Sequence, residues 1–184
     1  MELKTLYFER PGKANTDATL HIARERAEAL GINQIVLASS HGYTARRAHA
    51  LFAGLEAKLV AVSICAAFDD KGWTMSAQER AEIEALGIVV LTSIHALGDD
   101  VSEAFVDTPP NKIVRETLYR FCQGLKVAVE VAIMAADAGL LDTTQDAIAI
   151  AGTDEGADTA IVLRPACGLH FKKLRIREIL AKPR

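Results

Sequence analysis

Gln34-Ile35-Val36-Leu37-Ala38-Ser39-Ser40-His41-Gly42-Tyr43-Thr44-Ala45-Arg46 is the stretch that decides how this chain is read. A short apolar run passes into small hydroxylated residues and a glycine, and a helical pattern follows. That order is how an α/β protein builds a phosphate pocket. Glycine lets backbone approach a ligand, hydroxyls and amide N–H groups face it, and a helix N-terminus adds about half a positive charge. Ser39, Ser40, Gly42, Tyr43 and Thr44 are therefore the first candidates for binding. The plain alternative is an ordinary strand-to-helix turn in which Ser40 or Thr44 caps a helix.

Outward from this stretch, strand and helix signals alternate. Asn15 or Thr16 can cap a helix with Leu20, Ala23, Ala27 and Leu30 on one face, and Gly31 stops it. Apolar runs at 35–38, 59–64, 88–91, 147–151 and 159–163 read as buried strands. A helix is expected at 44–54. Ser76 with Glu79 three residues on is a capping-box signature for another, ending near Gly87. Residues 69–72 read as a turn, and 95–110 as a loop up to Pro109-Pro110. Residues 111–141 carry one long helical pattern, in which Gly124 marks a kink or a close approach. Residues 171–180 read as a sixth strand or an arm. The alternation predicts one α/β domain over residues 1–184, a three-layer α/β/α sandwich with a mostly parallel sheet. Ligands of such sheets bind at the carboxyl ends of the strands, where strand order reverses.

Composition narrows the function. Half of the 184 residues are hydrophobic but only 5% are aromatic, so the core is aliphatic. The net charge of −3, with both signs mixed, excludes a basic nucleic-acid surface. No apolar run approaches the roughly 20 residues of a membrane helix, and the first residues lack a signal-peptide pattern; a cytoplasmic protein is expected. Cys65, Cys122 and Cys167 have no CxxC spacing, and only Cys167, in a loop, reads as a reactive thiol. His21, His49 and His170 lack metal-ligand spacing, so no metal site is expected.

Three further segments carry chemistry. Gly152, Thr153, Gly156, Ala157 and Asp158 follow the fourth apolar run, in a glycine loop able to form an anion-binding nest. Its acids, Asp154, Glu155 and Asp158, suit ligand hydroxyls better than a second phosphate; the plain alternative is a hairpin or crossover turn. Thr92, Ser93 and His95 follow the third run and offer hydrogen bonds to a ring or to hydroxyls, with His95 able to titrate near neutral pH. Arg10, Lys13 and Asn15 precede the first helix and offer positive charge and a cap. His41 has no carboxylate near it in sequence. No GxSxG, Walker A or GxGxxG motif is present.

These loops together resemble one family. Tyr7-Phe8-Glu9-Arg10-Pro11-Gly12-Lys13-Ala14-Asn15-Thr16, Ala38-Ser39-Ser40-His41-Gly42-Tyr43-Thr44-Ala45, Thr92-Ser93-Ile94-His95-Ala96-Leu97 and Gly152-Thr153-Asp154-Glu155-Gly156-Ala157-Asp158-Thr159-Ala160 are similar to the stand-alone relatives of the pyruvate kinase C-terminal α/β domain. The resemblance implies strand order 3-2-1-4-5, no pyruvate kinase activity, and a phosphorylated ligand such as flavin mononucleotide (FMN) in the cleft between loops 39–44 and 152–158. In some pyruvate kinases the loop matching Ser39, Ser40, Gly42 and Thr44 holds a phosphate of a sugar-bisphosphate effector; His41 stands where the family often has serine. The competing readings are an enzyme acting on a phosphorylated metabolite, with His95 or His41 as acid–base, and a regulatory or assembly module whose helix at 111–141 is a homo-oligomer interface.

Overall fold

A computed structural model describes residues 2–98 and 100–184. Met1, and Asp99 in the loop read at 95–110, lie outside the described residues. The chain runs β1 (Leu6–Phe8), α1 (Thr16–Leu30), β2 (Gln34–Ala38), α2 (Tyr43–Leu51), β3 (Lys58–Ile64), α3 (Ala77–Ala85) and β4 (Val89–Ser93). It continues through α4 (Pro110–Tyr119), α5 (Gln123–Asp137), β5 (Ala147–Ala151), β6 (Thr159–Arg164) and β7 (Arg175–Pro183). One seven-stranded sheet takes the order β1-β7-β6-β5-β2-β3-β4. The β1–β7, β5–β2, β2–β3 and β3–β4 pairings are parallel; β5–β6 and β6–β7 are antiparallel.

The class is the expected mostly parallel α/β sandwich. The five anticipated strands lie side by side in the order 3-2-1-4-5, and β7 and β1 extend the sheet beyond them. The central strands are apolar throughout because helices cover both faces. Ile35, Leu37, Ala61, Ile148 and Ile150 pack under α1, α2 and α3 through Leu20, Ala23, Ala27, Ala48, Phe52 and Ile83. Val36, Val60, Val62, Ala149 and Ile161 pack under α5 through Leu125, Ala128, Val129, Ala132 and Ile133. Alternate residues of one strand thus enter opposite cores. No helix of the described residues is long and apolar enough to cross a membrane.

One expectation is corrected and one alternative decided. The single helix expected at 111–141 is two helices, broken at residues 120–122. Cys122 is extended there and its Sγ accepts the Leu125 N–H at 3.3 Å, a side-chain cap that starts α5. Gly124 is not a kink: a Cβ on it would lie 2.6 Å from Thr159 Cβ and 2.7 Å from Asp158 Oδ1, so it marks a close approach of α5 to β6. The tail is a strand, β7, which also pairs with β1, an element too short to show in the sequence pattern. The Ser76–Glu79 capping box is present: Ser76 Oγ accepts the Glu79 N–H at 3.2 Å, and Glu79 Oε2 accepts the Ser76 N–H at 2.8 Å.

Candidate functional site

Strand order reverses between β2 and β5, so the loops at their carboxyl ends lie side by side, where ligands of such sheets bind. The β2 loop is shaped by Gly42, whose φ of 81° is left-handed and comfortable only for glycine. A Cβ there would also meet Ile83 Cδ1 at 2.8 Å. Ser39 is buried; its N–H donates to the Val62 carbonyl at 3.0 Å and its Oγ accepts the Ala45 N–H at 3.3 Å. Arg46 N–H donates to the Gly42 carbonyl at 2.9 Å. The Tyr43 and Thr44 N–H groups before them have no acceptor among the described residues, leaving two of the orphan donors of a helix start. Ser40 is exposed beside them and the Thr44 side chain is buried.

The second loop, 152–158, is the hairpin between antiparallel β5 and β6, closed by Asp158 N–H donating to the Ala151 carbonyl at 3.0 Å. It is seated on the start of α1. Ala157 N–H donates to Thr16 Oγ at 3.0 Å, and the Thr16 hydroxyl donates to the Lys13 carbonyl at 2.7 Å. Gly156, at φ 81°, lies so close that a Cβ would be 2.7 Å from Lys13 Cα; Gly152 backs onto the Gly156 carbonyl at 2.7 Å in the same sense. Asn15 donates to the Arg10 carbonyl at 2.7 Å rather than capping α1 through its side chain.

Lys13 joins the two loops. Its Nζ lies 4.1 Å above the Tyr43 ring and 2.6 Å from Glu155 Oε1. Arg47 of α2 grips Asp17 of α1 through bonds of 2.9 and 2.5 Å, fixing the two helix starts relative to each other and holding the Asp17 carboxyl below its ordinary value. The sequence expectation that Asp158 faces ligand hydroxyls is corrected: Asp158 is fully buried. Its Oδ2 accepts the Gly12 N–H at 2.9 Å and the Thr153 N–H at 3.1 Å, and its Oδ1 accepts the Thr159 hydroxyl at 2.8 Å. It shapes the loop from inside.

Thr92, Ser93 and His95 stand apart, at the carboxyl end of edge strand β4, two strands from β2 and so about 10 Å away. Thr92 Oγ accepts from Arg80 at 2.7 Å and lies 2.6 Å from Ser63 Oγ. His95 packs edge-on against Phe68. Burial pushes its imidazole below the ordinary value, with nearby Glu130 pulling the other way. His41 does have a carboxylate partner: Nδ1 lies 3.2 Å from Glu79 Oε1, and Nε2 lies 3.0 Å from the Gly72 carbonyl. Both ring nitrogens are thus engaged by neighbouring oxygens.

One group escaped the sequence reading. Lys126 and Glu130, a turn apart on α5, form a buried ion pair, and Glu130 Oε1 also accepts the Leu97 N–H at 3.0 Å. The signal was available as two charges at i and i+4 on an otherwise apolar helix. Two grooves open away from these loops, one between α1 and β7 lined by Leu3, Ile22, Arg26 and Glu178, the other by Gln34, Lys58, Leu140 and Asp142.

No family model matches this chain. Among solved structures it is similar to a pyruvate kinase of Cryptosporidium parvum, at 14% identity and a TM-score of 0.42, over 84% of this chain and 23% of the other. A Cryptosporidium parvum pyruvate kinase in complex with ADP aligns at 16% identity and a TM-score of 0.39, over 90% of this chain and 24% of that one. The chain spans about a quarter of the length of these enzymes.

Proposed function

We propose that the chain binds a monophosphate-bearing small molecule at the carboxyl ends of β2 and β5, with FMN the leading candidate, and has no pyruvate kinase activity. The observation that carries this reading is the start of α2. A strand ends, a left-handed Gly42 turns the backbone, and the amides of Tyr43 and Thr44 are left as donors at a helix N-terminus. Ser40 is exposed beside them, and Lys13 supplies a cation over Tyr43. On the other side of that helix start, loop 152–158 carries the exposed acids Asp154 and Glu155, which disfavour a second phosphate there. The flavin comes from the resemblance of the four loop motifs. As acid–base candidates the histidines are less apt: His41 is engaged at both nitrogens.

Calorimetric titration with FMN and with inorganic phosphate tests this. Wild type should bind both. Gly42→Val, confirmed folded by circular dichroism, should lose at least about tenfold in affinity for each, because a side chain at that position is strained and displaces the loop. Unchanged affinity in that variant puts the ligand elsewhere.

A further inference from the structure

At the carboxyl end of β3 the chain makes a 3-10 turn over Ala66–Lys71 and brings two aromatic rings to the rim. Phe68 and Trp73 stack, with planes 10° apart and centroids 5.8 Å apart. His95 braces Phe68 edge-on, its centroid 5.4 Å away at 72°. Lys71 Nζ lies 5.0 Å from the Phe68 centroid and 5.1 Å from that of Trp73. Trp73 is the chain's single tryptophan and is 50% exposed. In a chain with so few aromatics, three rings from two loops converge at one place.

That place is tied to the candidate anion loop. His41 belongs to loop 39–44 by its backbone, and its Nε2 meets the carbonyl of Gly72, the residue immediately before Trp73. One imidazole and one backbone step therefore link loop 39–44 to the aromatic pair. A phosphate and a planar ring joined by a sugar or sugar-alcohol chain can reach from one to the other. An exposed indole face accepts any planar heteroaromatic ring, because stacking needs a π-face and not a particular set of hydrogen bonds.

We infer that Trp73, backed by Phe68, is the stacking platform for the ring of the ligand, which makes the ligand class mononucleotide-like: phosphate at residues 40–44, planar heteroaromatic ring on the indole. This rests on the phosphate reading above and adds the ring's position, moving it from Thr92 and Ser93 to the turn after β3.

The test uses the full chain with FMN, ribose 5-phosphate and inorganic phosphate as probes. Wild type should quench flavin fluorescence and develop a long-wavelength charge-transfer shoulder, the signature of flavin stacked on indole. Trp73→Ala should weaken FMN about tenfold or more while leaving ribose 5-phosphate within about twofold. Trp73→Phe should keep a π-face and most of the affinity but lose the shoulder, which a merely structural role for the residue does not predict. If Trp73→Ala binds FMN as wild type does, the platform is wrong and the phosphate reading stands. If Trp73→Ala loses ribose 5-phosphate equally, the residue serves the loop and not a ring, and the platform is again wrong. If wild type binds none of the three probes, both readings fall.

Discussion

The carboxylate of Asp158 holds the backbone N–H of Gly12 at 2.9 Å, across 146 residues of sequence. The same oxygen holds Thr153 N–H, so one buried side chain sets both the loop before α1 and the hairpin after β5. Asp158→Ala strands three donors in the interior and should cost about 3 kcal/mol. Asp158→Asn should cost about 1 kcal/mol, because its oxygen can face Gly12 and Thr153 while Thr159 turns its hydroxyl toward Cys122 Sγ, 3.5 Å away. Urea melts of the two variants check the ordering; equal losses contradict it.

Gly124→Ala separates propensity from packing. In an exposed helix interior the change stabilises by about 1 kcal/mol. Here the new methyl falls 2.7 Å from Asp158 Oδ1 and collides with the Thr159 side chain, so a loss of about 1–3 kcal/mol is expected. A raised melting temperature would mean that α5 can retreat from β6.

The Lys126–Glu130 pair should behave as a unit. Glu130→Ala leaves a buried ammonium without its carboxylate and the Leu97 N–H without an acceptor, at about 3–5 kcal/mol. The double variant Lys126→Met with Glu130→Gln removes both charges and keeps an acceptor for Leu97. It should recover most of that loss, as a double-mutant cycle will measure.

His95 gives a pH dependence of known sign. Burial lowers its folded-state pKa, so the unfolded chain binds more protons between that value and about 6.5. Stability should therefore fall as pH drops from 7 through 6.5 toward the folded value, and level off below it. Among the described residues, Glu130, Lys126, Arg115 and Glu103 act on His95, with Phe68 against the ring. His95→Gln should flatten the slope of unfolding free energy between pH 5 and 7; an unchanged slope assigns the dependence to another group.

The sheet was legible because its central strands are apolar on both faces and bounded by glycine or capping residues, as at Gln34–Ala38 and Ala147–Ala151. Helix α1 was legible from Leu20, Ala23, Ala27 and the left-handed Gly31 that ends it. The break at Arg120–Cys122 was not, since the apolar spacing runs on through it without Pro or Gly at 120–122 and the signal is one cysteine with extended backbone. In the candidate site, Gly42 and the hydroxyls around it could be read because a strand–glycine–helix order is local. Asp158 could not: an Asp in a glycine loop looks solvated until Gly12 and Thr159 are folded around it. The His41–Glu79 contact spans 38 residues and leaves no trace in either neighbourhood.

Residues 6–8 are zipped to residues 181–183, and Arg184 N–H closes the edge on the Phe8 carbonyl. On a ribosome the early segment therefore waits for nearly everything after it. Loop 152–158 likewise needs Gly12 and Lys13 as its seat, so this end of the sheet has no lasting shape until late-made strands arrive. Contacts of such sequence separation are slow to form. A nascent chain offered phosphate or flavin should stay unresponsive until β6 and β7 have emerged, then acquire its response in one step.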